Sequence, residues 1–257
     1  MMLVIRGIKM TTYEMKDYSM PRQCGHYPPP PYEYPKMRAM VCLFKAPIDV
    51  KKQFLPAELE PVEFPFDAIF IAEYPDSSIG PYNENLILLY CKYKKDPGLF
   101  VMNIYVDDDE ALTAGREIWG YPKKMCNISL SEIENNKVMG KLVRKRKTII
   151  EAEAELTEKA PGLDPEYIVK SFPLINLKLI PDVEDNLNPA LKQLTATNIE
   201  WKNFTLKRGL NVQSLKSEFS EYDICSEILK VSDLNLGGFY IECDQILPNG
   251  RLLEDLL

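Results

Sequence analysis

Two adjacent lysines, Lys123 and Lys124, are the residues of this sequence most suited to covalent chemistry. They end the segment Gly-Arg-Glu-Ile-Trp-Gly-Tyr-Pro-Lys-Lys, which begins at Gly115. Proline fixes its own φ angle and favours extended geometry at the residue before it, so the lysines follow a stiff turn. Adjacent lysines in a loop are ordinarily a solvated surface feature. Here the aromatic residues Trp119 and Tyr121 could instead enclose one amine in an apolar pocket.

A neutral lysine amine attacks a ketone to form a Schiff base, whereas a protonated amine does not. An ordinary lysine has a pKa of about 10.4, so only about one in a few thousand is neutral at pH 7. Burial disfavours the charged form, and a second ammonium group nearby disfavours it further. An apolar pocket around one of the two lysines would therefore create a nucleophile for reactions of keto acids.

The ten-residue segment resembles the hallmark of the acetoacetate decarboxylase family, a Gly-Arg-Glu stretch that leads to an aromatic-Pro-Lys-Lys. Weaker matches at 105–107, 177–181 and 246–248 extend the resemblance along most of the chain. The resemblance implies that Lys123 forms the Schiff base and that Lys124 is its cationic neighbour. It also implies a small keto-acid substrate, a homo-oligomer, and no metal or organic cofactor.

Three further site residues follow from the resemblance. Glu84 lies where the family has an active-site glutamate, at the same spacing from the lysine. Its role would be to handle protons or to orient the substrate, although a solvated glutamate in a turn is the alternative. Tyr105 and Tyr121 match positions that line the pocket, and either could instead be a core residue.

Two positions depart from the family pattern. Family decarboxylases carry an arginine early in the first strand that can bind the substrate carboxylate, and an ungapped match places Met37 there. Arg38 is one residue away, and a shift of one residue turns a side chain to the opposite face of a strand. Arg38 would therefore bind substrate only if an insertion or deletion precedes it. A second family glutamate aligns with Phe70, which makes the expected pocket more apolar.

The sequence is compatible with three functions. The first is decarboxylation of acetoacetate to acetone and CO2 through an imine on Lys123. The second is an aldol, retro-aldol or dehydration reaction on another oxo acid through the same imine, which the residues Met37 and Phe70 favour. The third is a non-catalytic small-ligand binder on the same scaffold, in which the amine of Lys123 would be an ordinary ammonium group.

Composition excludes several other classes of protein. The 257 residues carry a net charge of −7 with an isoelectric point near 5.0, which argues against nucleic-acid binding. Six cysteines without CxxC spacing predict free thiols, and a single histidine, His26, disfavours multi-histidine metal sites. No apolar run of 18 residues and no signal-peptide pattern are present, so we expect no membrane partner and a cytoplasmic protein.

The pattern of short apolar strands with few helices predicts an α+β chain that is predominantly β. We expect a closed or cone-like antiparallel β-barrel or double sheet with a few short flanking helices. Among these, 48–55 shows helical spacing, 107–109 offers a helix N-cap, and 211–219 and 250–257 also suggest helices. The predicted organisation is a proline-rich arm over 1–35, packed on a single domain over 36–257.

Overall fold

The computed structural model describes residues 17–63, 65–160 and 164–257. Within these ranges the chain is predominantly β, as the sequence predicts. The strands are β1 (Tyr32–Phe44), β2 (Leu59–Pro61), β3 (Asp67–Tyr74), β4 (Tyr82–Tyr93), β5 (Asp96–Val106), β6 (Lys123–Met125), β7 (Asn127–Leu130), β8 (Lys137–Arg144), β9 (Lys147–Thr157), β10 (Leu174–Pro181), β11 (Pro189–Thr197), β12 (Glu200–Lys216), β13 (Gly238–Leu247) and β14 (Arg251–Asp255).

Four short α-helices flank the strands in the described ranges. They are α1 (Ile48–Phe54), α2 (Asp109–Ala114), α3 (Pro165–Ser171) and α4 (Cys225–Lys230). A π-helical turn, Gly115–Trp119, follows α2 directly. None of the described helices is long and apolar enough to cross a membrane. All six cysteines are free thiols, as predicted.

The strands form one sheet in the order β14-β11-β10-β5-β4-β3-β1-β13-β12-β9-β8-β7, with β2 paired to β4 and β6 paired to β5. Most neighbours are antiparallel, but β10 and β6 both run parallel to β5. The end strands β14 and β7 are not paired with each other in the described structure. The predicted closure into a barrel is therefore not confirmed, because the sheet keeps two edges.

The strand β7 at one end of the sheet folds back against β3, β4 and β5. This covers the second face of the central strands, so β4 is buried along almost its whole length. Two apolar cores result, one on each face of the sheet. The inner core includes Val41, Phe70, Leu86, Ile104 and Phe239, and the outer core includes Met40, Ile71, Ile87, Tyr105, Leu142 and Ile150.

The helix predicted over 211–219 is wrong, because β12 continues to Lys216 and pairs with β9. A β-bulge between Val212 and Ser214 explains the error. One extra residue in a strand places side chains three positions apart on the same face, which imitates helical spacing. Val212 and Leu215 thus both pack on the outer core although the backbone is extended.

The helix predicted over 250–257 is wrong for a similar reason. Residues 251–255 form β14, which pairs with β11 and shows a register shift opposite Leu194 and Thr195. Leu253 and Leu256 pack against the outer core. An edge strand with a bulge again carries leucines at a spacing that resembles one face of a helix.

The described part of the predicted arm contacts the sheet through aromatic residues. Tyr27 is buried in the inner core, and its hydroxyl donates a 2.6 Å hydrogen bond to Glu117. Tyr32, whose hydroxyl donates to the carbonyl oxygen of Pro28, already belongs to β1. Residues 1–16 of the predicted arm lie outside the described residues. The division into arm and single domain stays a prediction.

Candidate active site

The segment before the lysines is built as a capped helix that changes into a π-helical turn. The Asp108 carboxylate accepts a 2.7 Å hydrogen bond from the N–H of Ala111 and caps α2. The turn ends at Gly120, whose φ of 80° lies in the left-handed region that glycine adopts without strain. The N–H of Tyr121 then donates to the carbonyl oxygen of Gly115 at 3.0 Å. This closes the turn immediately before the lysines.

The strand β6 fixes which of the two lysines faces the inner core. It pairs in parallel with β5, with Lys123 opposite Ile104 and Lys124 opposite Tyr105. Successive side chains of a strand point to opposite faces of the sheet. Lys123 is consequently buried on the face of the inner core, whereas Lys124 points to the other side.

Lys123 forms a buried ion pair with Glu84 of β4. The distance from Nζ to Oε2 is 2.7 Å, and the two side chains are only 5% and 9% exposed. Glu84 reaches this position because β4 and β5 pair in antiparallel fashion, with Glu84 opposite Val106. An amine and a carboxylate held at hydrogen-bond distance can exchange a proton directly.

Four tyrosines surround this ion pair. The hydroxyl of Tyr74 donates to Oε1 of Glu84 at 3.3 Å, and the hydroxyl of Tyr82 donates to that of Tyr34 at 3.3 Å. The amine of Lys123 lies 5.6 Å and 5.8 Å from the ring centres of Tyr82 and Tyr121. Burial, and then the negative charge of Glu84, raise the pKa of both Tyr74 and Tyr82 above its ordinary value. These phenols therefore stay protonated and can donate hydrogen bonds.

The ion pair lies in the wall of a cavity within the inner core. The space within it that is open to the centre of a water molecule is about 70 Å³. This is several times the roughly 10–15 Å³ that one buried water needs. Among the described residues that line it, Lys123 and Glu84 are the only charged ones. Its remaining walls are largely apolar or aromatic and include Phe70, Leu86 and Trp201.

Two buried polar atoms of the cavity wall have no hydrogen-bond partner among the described residues. They are the hydroxyl oxygen of Tyr121 and Oε1 of Gln245. Leaving a buried polar group unpaired costs about 1–3 kcal/mol. Both groups are chemically suited to bind a polar part of a ligand.

Lys124 belongs to a separate polar cluster on the opposite face of the sheet. Its amine lies 3.2 Å from the carboxylate of Asp223, which also accepts hydrogen bonds from Tyr105 at 2.9 Å and Arg144 at 3.0 Å. Burial would raise the pKa of Asp223, but the hydrogen bonds from Tyr105 and Lys124 hold it below its ordinary value. The cluster ties β6 to the segment before α4.

Arg38 also lies away from the cavity. Its guanidinium group pairs with Glu73 on the neighbouring strand β3 and donates to the carbonyl oxygens of Leu130 and Ser131. Met37, one residue earlier in β1, lies in the inner core. Strand alternation thus directs Met37 toward the cavity side and Arg38 toward the β7 side.

The described residues contain no group of three or more His, Cys, Asp or Glu side chains arranged to hold a metal ion.

The sequence model that defines the acetoacetate decarboxylase family matches residues 19–257 of this chain. The chain belongs to the acetoacetate decarboxylase family. Its members include the curated protein "Acetoacetate decarboxylase 3" of Mesorhizobium japonicum, which is 27% identical over 246 residues, covering 91% of this chain and 94% of that protein.

Two solved structures share the fold of this chain. Acetoacetate decarboxylase from Legionella pneumophila superposes with a TM-score of 0.83 at 25% identity, over 96% of this chain and 99% of its own. The enduracididine biosynthesis enzyme MppR complexed with pyruvate superposes with a TM-score of 0.75 at 20% identity, over 93% and 97%. The second likeness concerns the fold alone.

Against this family background, the structure divides the residues predicted from the sequence into two groups. Lys123, Glu84, Tyr121 and Phe70 line one cavity. The other three, Lys124, Tyr105 and Arg38, do not belong to its described lining and are engaged in polar contacts elsewhere.

Several cavity residues were missed by the sequence analysis. Tyr82 stands two positions before Glu84 in β4, so strand alternation could have placed both on one face. Tyr34, Tyr74 and Gln245 come from three different strands. No local signal in the sequence joins them, because their proximity depends on strand order and register.

Proposed function

We propose that this chain is a Schiff-base-forming enzyme that decarboxylates a β-keto acid through an imine on Lys123. The observation that carries the proposal is the 2.7 Å contact between the Lys123 amine and the Glu84 carboxylate in the wall of an apolar cavity. Such a pair offers a nucleophile together with a group that can accept and return its proton.

The reaction begins when Glu84 takes a proton from the Lys123 ammonium group. The neutral amine attacks the ketone carbon to form a carbinolamine. Glu84 then returns its proton to the carbinolamine hydroxyl, and loss of water leaves a protonated imine. The protonated phenol of Tyr74 donates a hydrogen bond to Glu84, and that of Tyr82 donates to Tyr34. Neither step needs a group that the described cavity lacks.

Carbon–carbon cleavage follows from the imine. The bond to the carboxylate breaks, CO2 leaves, and the electron pair moves to the imine nitrogen to give an enamine. A proton that comes from solvent water is added to the α-carbon, and hydrolysis of the resulting imine releases the ketone and restores the Lys123 ammonium group. The step converts a cationic imine and an anionic carboxylate into two neutral products. A cavity of low polarity favours this loss of charge, because it solvates separated charges poorly.

The cavity would bind the substrate carboxylate through uncharged groups. Lys123 and Glu84 are the only charged residues among its described lining. No second cation there would therefore stabilise the ionised carboxylate of the substrate before CO2 leaves. The unpartnered Tyr121 hydroxyl can donate a hydrogen bond to the carboxylate, whereas the unpartnered Oε1 of Gln245 only accepts hydrogen bonds and suits a donor group of the substrate. We assign the substrate carboxylate to Tyr121.

A second candidate is an aldol, retro-aldol or dehydration reaction on another oxo acid through the same imine. The position of Arg38 favours it, since that arginine pairs with Glu73 and does not contact the cavity. The likeness of fold to MppR, which was solved with pyruvate, is compatible with this alternative. Cytoplasmic location and homo-oligomer formation stay predictions from the sequence.

Borohydride trapping distinguishes these candidates. The protein is incubated with acetoacetate or pyruvate, reduced with sodium borohydride, and analysed by peptide mass spectrometry, with Lys123→Ala as the control. We expect a reduced adduct on Lys123 and release of CO2 from acetoacetate. An adduct without CO2 release would favour the second candidate. A wild-type protein that leaves no adduct with either acid would support non-catalytic ligand binding.

A further inference from the structure

The cavity extends well beyond the Lys123–Glu84 pair. Glu84 and Leu88 both line it and stand four residues apart on β4. At about 3.3 Å per residue, this corresponds to roughly 13 Å along the strand. The neighbouring strand β5 gives a similar extent, because its residues Leu99 and Ile104 both contribute to the lining. The cavity is therefore long in the direction of the central strands.

The far end of the cavity is apolar in all its described lining. It is formed by Phe66, Leu99, Ile168, Val169, Phe172 and Leu174. The ring of Phe172 packs 5.3 Å from that of Tyr90, six residues along β4 from Glu84, which places this end away from the ion pair. Val169 and Phe172 are only half-buried, so this end also meets solvent.

This distribution of polarity determines which part of a substrate each end can stabilise. Polar and ionisable groups are gathered around Lys123, whereas a carboxylate at the far end would lose its hydration without gaining a partner. An apolar group there would gain by burial, by about fourfold in affinity for each methylene. Acetoacetate has only a methyl group beyond its ketone, so it would leave the far end unused.

We propose that the physiological substrate is a β-keto acid with an unbranched aliphatic chain on its ketone carbon, and that this chain lies between Leu88 and Val169. The inference rests on the proposed imine chemistry at Lys123, and it adds the substrate class. The α3 residues Ile168, Val169 and Phe172 then determine specificity for chain length.

The test is a chain-length series on the wild-type protein. CO2 release is measured with acetoacetate, 3-oxohexanoate and 3-oxooctanoate. We expect kcat/KM to rise by roughly fourfold for each added methylene, as burial of the chain would give. A value that stays constant or falls along the series would overturn the inference, while a Lys123 adduct with acetoacetate would leave the imine chemistry intact.

The variant Val169→Trp tests the location of the chain. A tryptophan there fills the far end, so the ratio of kcat/KM for 3-oxooctanoate to kcat/KM for acetoacetate should fall by about tenfold or more. Tyr167→Trp is the matched control, because Tyr167 lies on the same helix but is 64% exposed. Equal effects of Val169→Trp on both substrates would contradict the proposed location.

A separate measurement decides the inference if no acid forms an adduct with Lys123. Binding of butan-2-one and octan-2-one to the wild-type protein and to Val169→Trp is measured by calorimetry. Tighter binding of octan-2-one that Val169→Trp abolishes would retain the apolar-chain site although the imine proposal had failed. Absence of any preference for the longer ketone would overturn the chain site as well.

Discussion

The α-carbon of Gly115 packs directly against the side chain of Lys123. A β-carbon at position 115 would lie 2.6 Å from both Cδ and Cε of Lys123 and 3.2 Å from its amine. The φ and ψ angles of Gly115 are −60° and −43°, which any residue adopts in a helix. The glycine is thus required by the neighbouring lysine and not by its own backbone conformation.

Replacing Gly115 with alanine should therefore impair both the reaction and the fold. The added methyl group displaces the Lys123 amine from Glu84, and a misplacement of about 1 Å can cost about 100-fold in rate. The free energy of unfolding should fall by about 1–3 kcal/mol, because the methyl group overpacks the site and disturbs a buried ion pair. Steady-state CO2 release and urea unfolding measure the two effects, with Thr113→Ala on the adjacent helix as the control. Wild-type activity in Gly115→Ala would show that the lysine tolerates the displacement.

Replacing Glu84 with glutamine tests the proton-transfer role of the carboxylate. The amide keeps the size of the side chain but cannot accept the proton of Lys123, so kcat should fall by about 100- to 10,000-fold. Glu60→Gln, an exposed residue on the neighbouring strand β2, should leave kcat unchanged. If Glu84→Gln keeps kcat within about twofold of wild type, the carboxylate only balances the charge of the amine.

The two lysines should respond differently to replacement by methionine. Lys123→Met removes the proposed nucleophile, so borohydride trapping should be lost completely. Lys124→Met should retain trapping on Lys123, because the amine of Lys124 is directed to Asp223 on the other face of the sheet. Its loss of stability should stay within about 1 kcal/mol, since Lys124 is partly exposed to solvent. Loss of trapping in a folded Lys124→Met protein would instead assign Lys124 a direct role in the chemistry.

The polar cluster around Asp223 predicts a pH-dependent contribution to stability. The pKa of Asp223 is lower in the folded protein than its ordinary value, so the contribution is complete above about pH 4 and is lost as the pH falls through the folded-state pKa. Asp223→Asn should destabilise the protein by about 2 kcal/mol at pH 7, because it leaves Lys124 and Arg144 without their counter-charge. Urea unfolding of both proteins from pH 7 to pH 3 should show this difference shrinking below pH 4. A difference that is independent of pH would mean that the charge of Asp223 is not what stabilises the cluster.

The two wrong helix predictions and the division of the predicted site residues into two groups have related origins. The leucine and valine spacing near 212–215 imitates a helix because a bulge in β12 shifts the side-chain alternation. The sequence likewise shows two adjacent lysines without showing which one is buried. Both outcomes depend on pairing with a distant strand, β9 in the first case and β5 in the second. Local patterns contain no information on which strands become partners.

The sequence by itself determined the β-rich composition and the motif that holds Lys123, because backbone preferences and the glycines of a turn act over short distances along the chain. The resemblance to the family also marked Glu84, which stands at the family's spacing from the lysine. Only the tertiary structure decided that Glu84 contacts Lys123, that Lys124 and Arg38 lie outside the cavity, and that the far end of the cavity is apolar. These features depend on strand order and register, which bring residues from distant parts of the chain into contact.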